Sequence, residues 1–444
     1  MLPKRTEILL LEEAFRELME AMSPQRRFAE RVSCEGSTLR WTDGSVDLAD
    51  FDRVWIFGAG KAAGGLAHAA SKLVEERLAG GVVICADSLG NERGIDIGNQ
   101  SFTQENLRPV SGLKFLPGDH PLPEKNSVAS TSELLETAKH VTNRDLVLFM
   151  ITGGASAMLC KPESGISLSE KQSIHTKLLR SGASIHEMNC VRKHLSAVKG
   201  GKLIAHFNGA KILNFIVSDV PGDDATTIGS GPTNADPTSC HDAQTVLRKY
   251  SIDAAPNFVE TPKPGEVTPP VNIWITTPAQ SASYMSEILQ AKGFRSIVDK
   301  QAYRGDVHDV VAKIMTDIER NAEHPAPTAL VYYGESEVHV EGNGSGGRNQ
   351  HLALLLAFSL SKSPFSRKIT ALSAGTDGID GNSDVAGAII SESTVVAARE
   401  KGLNPSDYLQ NFDSSTFFSK LGAILKTGPT GNNLMDIQVI LIHN

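Results

Sequence analysis

The sequence predicts an α/β protein of two domains, the first built on a largely parallel sheet. Three observations carry the prediction. Continuous apolar runs alternate with amphipathic helical patterns through the first half, as strands buried on both faces and their crossover helices do. A length of 444 residues exceeds what one ordinary core holds. Between residues 256 and 270 lie Pro256, Pro262, Pro264, Pro269 and Pro270 with little apolar content, which reads as a linker. The expected domains are therefore residues 1–260 and 261–444.

The elements follow in order. Residues 2–22 read as an amphipathic helix and not as a signal peptide, because Glu12 and Glu13 cut the apolar run at 8–11 short. Strands are expected at 53–57, 81–86, 146–151 and 211–218, with helices at 62–78 and 127–140 between them. The second half opens with a strand at 271–276 and a helix at 280–293. Strands at 329–333 and 338–341, an apolar helical run at 351–360, and strands at 368–373 and 436–442 complete the alternation. In sheets of this kind ligands bind outside the carboxyl ends of the strands.

Composition narrows the function. A net charge of −8 leaves no broad basic surface for nucleic acid, yet permits a local cluster for a small anion. Five cysteines, an odd number without a CxxC pair, favour reduced and mostly buried thiols. No stretch reaches the ~18 apolar residues of a membrane span, so a soluble, cytoplasmic protein is expected. The thirteen histidines do not cluster, and HExxH and GxSxG are absent.

Three junctions repeat the order strand, glycine loop, helix. The first runs through Gly58, Gly60 and Lys61 (GAGKAA), the second through Gly153, Gly154 and Ser156 (TGGASA), the third through Gly346, Gly347, Arg348 and Asn349 (GNGSGGRNQ). Four glycines in residues 342–347 mark chain that turns tightly or approaches a ligand closely. Such junctions aim backbone N–H groups at an anion. Arg348 adds a planar fork for carboxylate or phosphate. An ordinary surface loop with a solvated arginine is the plain alternative. GAGKAA also fits GxGxxA, with Asp87 placed as a ribose-binding acid, so a dinucleotide fold is a rival. Lys61 weakens that rival, since the fingerprint requires no charge there.

Arg192 and Lys199, seven residues apart, share a face at helical spacing and suit phosphate, although a charge run is usually a solvated face. Asp219 and Asp377 each end an apparent strand, the place from which carboxylates hold Mg²⁺ or receive a hydroxyl proton. Asp223, Asp224 and Asp384 read as turn or cap residues.

Taken together these blocks resemble the glycerate 2-kinase family, the type whose C-terminal part is called MOFRL. The resemblance rests on GAGKAA at 58–63, TGGASAM at 152–158, NCVRKHLSAVKGGKL at 189–203, SDVPGDD at 218–224 and GSGPT at 229–233. In the second half it rests on GGRNQ at 346–350, AGTDGIDG at 374–381 and TGPTGNN at 427–433. Tyr333, Ala155 and His351 depart from the family pattern. The resemblance implies transfer of the γ-phosphoryl group of ATP, with Mg²⁺, to the 2-hydroxyl of D-glycerate. It implies a Rossmann-like first domain and an active site in the inter-domain cleft, with Lys61 and Arg348 as the catalytic pair; Asp219 joins them on its place at a strand's end. The remaining residues named above would hold nucleotide and phosphate, and Asp377 or Asp219 the metal. Both catalytic charges lie in glycine-flanked loops, so removing either is expected to spare the core. A homodimer is left open. An NAD(P)-dependent hydroxypyruvate reductase and a non-catalytic small-acid binder are the rivals. The reductase needs a histidine–acid proton donor, which no sequence pattern reveals.

Overall fold

A computed structural model describes residues 5–86, 95–97, 100–102, 112–254, 256–363, 365 and 367–443. Asp87 lies outside them. The chain divides into two compact units, one made mainly of residues 24–275, the other of the helix Arg5–Ala21 with the chain from Thr276 onward.

In the unit of residues 24–275, a six-stranded sheet runs in the order Val271–Thr276, Lys211–Val217, Leu146–Ile151, Val54–Ala59, Leu78–Ala86, Leu113–Gly118. The last five pair in parallel. Val54–Ala59 and Leu146–Ile151 are buried at every position, which accounts for their unbroken apolar sequence. Phe57 and Phe149 pack on Phe207 beneath the crossover helices. Because Leu146–Ile151 pairs with both Val54–Ala59 and Lys211–Val217, the loops after these three strands emerge side by side. They are the loops of Lys61, Gly154 and Asp219.

Beside this sheet, helices Leu168–Arg180, Ile185–His194 and Cys240–Lys249 share a core of Ile174, Leu178, Val191 and Leu247. A three-stranded antiparallel sheet spans residues 32–47. Of these, only a helix carrying Arg192 was expected from sequence. The proline-rich stretch is packed and is not a free linker. Pro262 accepts from the Asp236 N–H at 2.9 Å, and Val259 donates to His194 at 3.1 Å. The strand Val271–Thr276 that follows forms an edge of this first sheet, and the units change over at Ile275–Thr276.

In the other unit the amphipathic N-terminal helix buries Leu11, Phe15 and Leu18 and packs on helix Pro278–Ala291. Its sheet runs Arg295–Val298, Thr328–Glu337, Asp436–Ile442, Ile369–Gly375, Gly387–Ser391, Ile424–Leu425. Asp436–Ile442 is antiparallel to both of its neighbours whereas Arg295–Val298 and Thr328–Glu337 run parallel, so this sheet is mixed. Thr328–Glu337 is one long strand, and residues 338–341, expected as a second strand, have no regular structure.

Among the described residues no helix is long and apolar enough to cross a membrane. All five cysteines are free thiols, with Cys85, Cys160 and Cys190 buried.

Candidate active site

At the first junction Gly58 lies inside the strand, and the chain turns at Gly60, whose φ of +130° and approach to Thr152 admit no side chain. The N–H groups of the loop are already used. Gly60 donates to Ile84, Lys61 to Gly153, Ala62 to Thr152 Oγ1 and Ala63 to Gly60. The expectation that this helix start cradles an anion is therefore corrected, and with it goes the pyrophosphate site a dinucleotide fold would need. What the turn does present is the Lys61 side chain, which is exposed.

The second junction differs. Gly153 and Gly154 donate to no described residue, and Gly154 opens a cavity of about 230 Å³ within this unit. Ser156, Arg192 and Lys199 line it too, so the structure brings four of the sequence candidates together. The helical-face argument for Arg192 and Lys199 is corrected, because the helix ends at His194 and Lys199 sits in the following turn. A network holds the wall. Ser156 and Ser230 meet at 2.9 Å, Ser230 donates to Asn189 Oδ1 at 3.0 Å, and Arg192 Nη1 reaches the same oxygen at 3.4 Å. Lys199 Nζ donates to the Gly229 carbonyl at 3.1 Å.

The cavity also contains Lys171, His120 and His175, which sequence reasoning missed. The signal existed, since Lys171 falls in register with Ile174 and Leu178 on the buried face of its helix. No carboxylate is among the lining residues. Burial depresses Lys171, Lys199, Arg192 and His175, and neighbouring positive charges add to it for the two lysines and His175. Lys199 falls well below the usual lysine range, Arg192 to about 10, and His175 to about 4 with Arg192 Nε donating to its Nδ1. Three desolvated cations facing one another without an acid make a site for an anion.

Asp219 is half-buried at the end of its strand. Burial pushes its carboxyl up to about 6, against the pull of the Lys61 charge. In the same loop Asp223 Oδ1 is buried and has no donor among the described residues, whereas Asp224 is spent on Thr226 and Thr227 as the turn reading expects.

The third junction belongs to the other unit. The start of helix Arg348–Leu360 does hold an anion, and that anion is the chain's own Asp380. Its carboxylate accepts from the N–H groups of Asn349 and Gln350 at 3.0 and 2.9 Å and from both side-chain amides. A Cβ on Gly347 would strike Asp380 at 2.3 Å, and Gly346 donates to Asn382 at 2.8 Å. Gly346, Gly347 and Asn349 thus have internal work, which corrects the reason for placing them on a phosphate. Arg348 is committed as well. Nε and Nη2 grip Asp436 at 2.5 and 3.0 Å, and Nη2 reaches Glu335 at 2.8 Å. Burial opposes the guanidinium charge, but the two acids raise its pKa above the ordinary value. Arg348, Gly346, Gly347 and Asp377 line a cavity of about 530 Å³ in this unit. His351 stacks on Phe412 there with ring centres 5.0 Å apart. Asp377 Oδ1 accepts from Ile379 N at 3.1 Å in an Asx turn.

One histidine–acid pair does exist. His194 Nε2 lies 3.1 Å from Glu260 Oε1, with Cys240 adjacent, but neither His194 nor Glu260 lines either cavity, and Lys263 already binds that oxygen at 2.6 Å.

Sheet, loops and cavity define a two-unit α/β protein with a cation-lined cavity at the carboxyl edge of a parallel sheet. Residues 10–261 match the family described as "Domain of unknown function (DUF4147)", and residues 328–436 match the MOFRL family. A D-glycerate 2-kinase of Thermotoga maritima is 36% identical over 403 residues, covering 88% of this chain and 91% of its own. A glycerate 2-kinase of Pyrococcus horikoshii is 33% identical, covering 88% and 87%. A putative hydroxypyruvate reductase of Agrobacterium vitis is 35% identical, covering 75% and 78%. The crystal structure of the glycerate kinase from Thermotoga maritima superposes with a TM-score of 0.82 at 32% identity, covering 99% of this chain and all of that one. The chain belongs to the glycerate 2-kinase family of the MOFRL type.

Proposed function

We propose that the protein is an ATP-dependent glycerate 2-kinase, converting D-glycerate and ATP to 2-phosphoglycerate and ADP. The observation that carries this reading is the cavity at Gly154, where Lys171, Arg192 and Lys199 converge without a carboxylate. The kinase names of relatives that cover most of the chain support it.

In the reaction the 2-hydroxyl oxygen attacks the γ-phosphorus, the bond to the β–γ bridging oxygen breaks, and ADP leaves. Phosphoryl transfer asks protein for positioning and positive charge more than for covalent help. Lys61 supplies charge to the migrating group, and Arg348 is the second cation. Lys61 and Arg348 belong to different compact units. Asp219, with its carboxyl lifted to about 6, has a pKa suited to accepting the hydroxyl proton near neutrality. Mg²⁺ would fit the same loop through the orphaned Asp223 Oδ1, with Asp219 as its ligand instead of the proton acceptor; bound with the nucleotide it would neutralise phosphate oxygens. Asp377, with one oxygen in its turn, is a second candidate ligand.

The rival reading, hydroxypyruvate reduction, is favoured by one relative's name. It is opposed by the spent N–H groups after Gly58 and by the lack of any carboxylate among the residues that line the cavity. Product analysis decides between them. Phosphorus NMR with ATP·Mg and D-glycerate should show 2-phosphoglycerate, and hydroxypyruvate should not oxidise NADH. NADH oxidation without ADP formation would reverse the ranking.

A further inference from the structure

Lys171 has no task in the fold. It is 6% exposed, it sits on the apolar face of helix Leu168–Arg180, and its Nζ has no partner among the described residues. Burying an ammonium without a partner is costly, and two further cations share its cavity. Glu163, whose charge also acts on it, is tied to Lys202 at 2.6 Å. An anionic ligand would remove that cost.

The cavity itself says which anion. Its volume of about 230 Å³ falls below the roughly 300–1,000 Å³ of pockets that enclose drug-sized molecules, so a whole nucleotide does not fit. A three-carbon acid does. Ile174, Leu178 and Val191 form an apolar wall suited to a short carbon chain, while a lining that holds three cationic side chains and no acid disfavours a divalent cation. We propose that Lys171, with Arg192, binds the carboxylate of the acceptor acid and so restricts the enzyme to short 2-hydroxy acids. The proposal rests on the kinase reading above and adds a specificity residue to it.

Lys171→Met and Lys171→Gln test it in the full chain. A charged hydrogen bond of ordinary strength corresponds to a rise of roughly 10- to 100-fold in KM for D-glycerate. KM for ATP should stay within about twofold, and Lys171→Arg should recover part of the loss. Because the lost charge is buried and unpaired, the Met variant should melt at a higher temperature than the wild type. An unchanged KM for glycerate, or a rise confined to ATP, overturns the proposal, and so does failure of both neutral variants to fold. Calorimetric titration with D-glycerate alone separates this from the kinase reading. If the wild type forms no product, the kinase reading falls; binding to the wild type and not to Lys171→Met still upholds the carboxylate site. Equal binding, or none to either, sinks it.

Discussion

Lys61 and Arg348 look alike in sequence, each a lone cation in a glycine loop, and the structure separates them. Lys61 is exposed, and its charge acts on Asp219, so Lys61→Ala should leave stability within about 0.5 kcal/mol of wild type. Its kcat should fall roughly 100-fold or more, the scale of losing a group that stabilises transition-state charge. Near-normal turnover would reduce it to a surface lysine. Arg348 balances Asp436, which is 2% exposed. Breaking a buried ion pair costs about 3–5 kcal/mol, but the Arg348 side chain is 38% exposed and solvent screens it. Arg348→Ala should therefore cost about 2 kcal/mol in urea melts besides its effect on rate, which revises the expectation that the core is spared. A melt superimposable on wild type would show that Asp436 tolerates its isolation. The sequence displayed the arginine but could not display a partner 88 positions away.

At the scale of elements, periodicity and glycine placement made the parallel sheet legible, and with it the edge from which the site hangs. They could not show what a helix start binds. Asp380 occupies the position intended for a ligand at helix Arg348–Leu360, and AGTDGIDG offers two aspartates, Asp377 and Asp380, with nothing to distinguish the capping one. Asp380→Ala should cost about 2–3 kcal/mol, since it orphans two buried N–H groups at the positive end of the helix; a loss below about 0.5 kcal/mol would mean that water replaces the cap. At the end of strand Lys211–Val217 the pH dependence is opposite to that of an ordinary paired carboxylate. Burial raises Asp219 from 3.8 to about 6, so the folded state holds this proton more tightly than the unfolded one. Its contribution is fully present below about pH 4 and is lost as pH rises through 6. Asp219→Asn, which keeps the neutral form's shape, should raise Tm at pH 7–8, with the gain vanishing near pH 4, while phosphoryl transfer falls. A Tm gain independent of pH would assign the effect to packing.

For the whole molecule the question is whether two compact units serve one reaction. Each contains a cavity of its own, the smaller rich in cations and the larger carrying Arg348. Lys61, Gly154, Ser156, Arg192, Lys199 and Asp219 all fall in the unit of residues 24–275. If D-glycerate binds there, alone it should slow amide exchange in helix Leu168–Arg180 and around Gly153 and Gly154, whose N–H groups have no described acceptor, and leave the other unit unchanged. D-glycerate with a non-hydrolysable ATP analogue and Mg²⁺ should extend the protection to residues 342–347, the loop that leads into Arg348. Ligand at about 100 times its Kd stabilises the protein by about 2.7 kcal/mol, enough to be read in exchange rates. The pattern discriminates because glycerate alone and the full substrate set would otherwise protect the same amides. Exchange in residues 342–347 that ignores the full set would remove Arg348 from the reaction and leave phosphoryl transfer to the unit that carries Lys61.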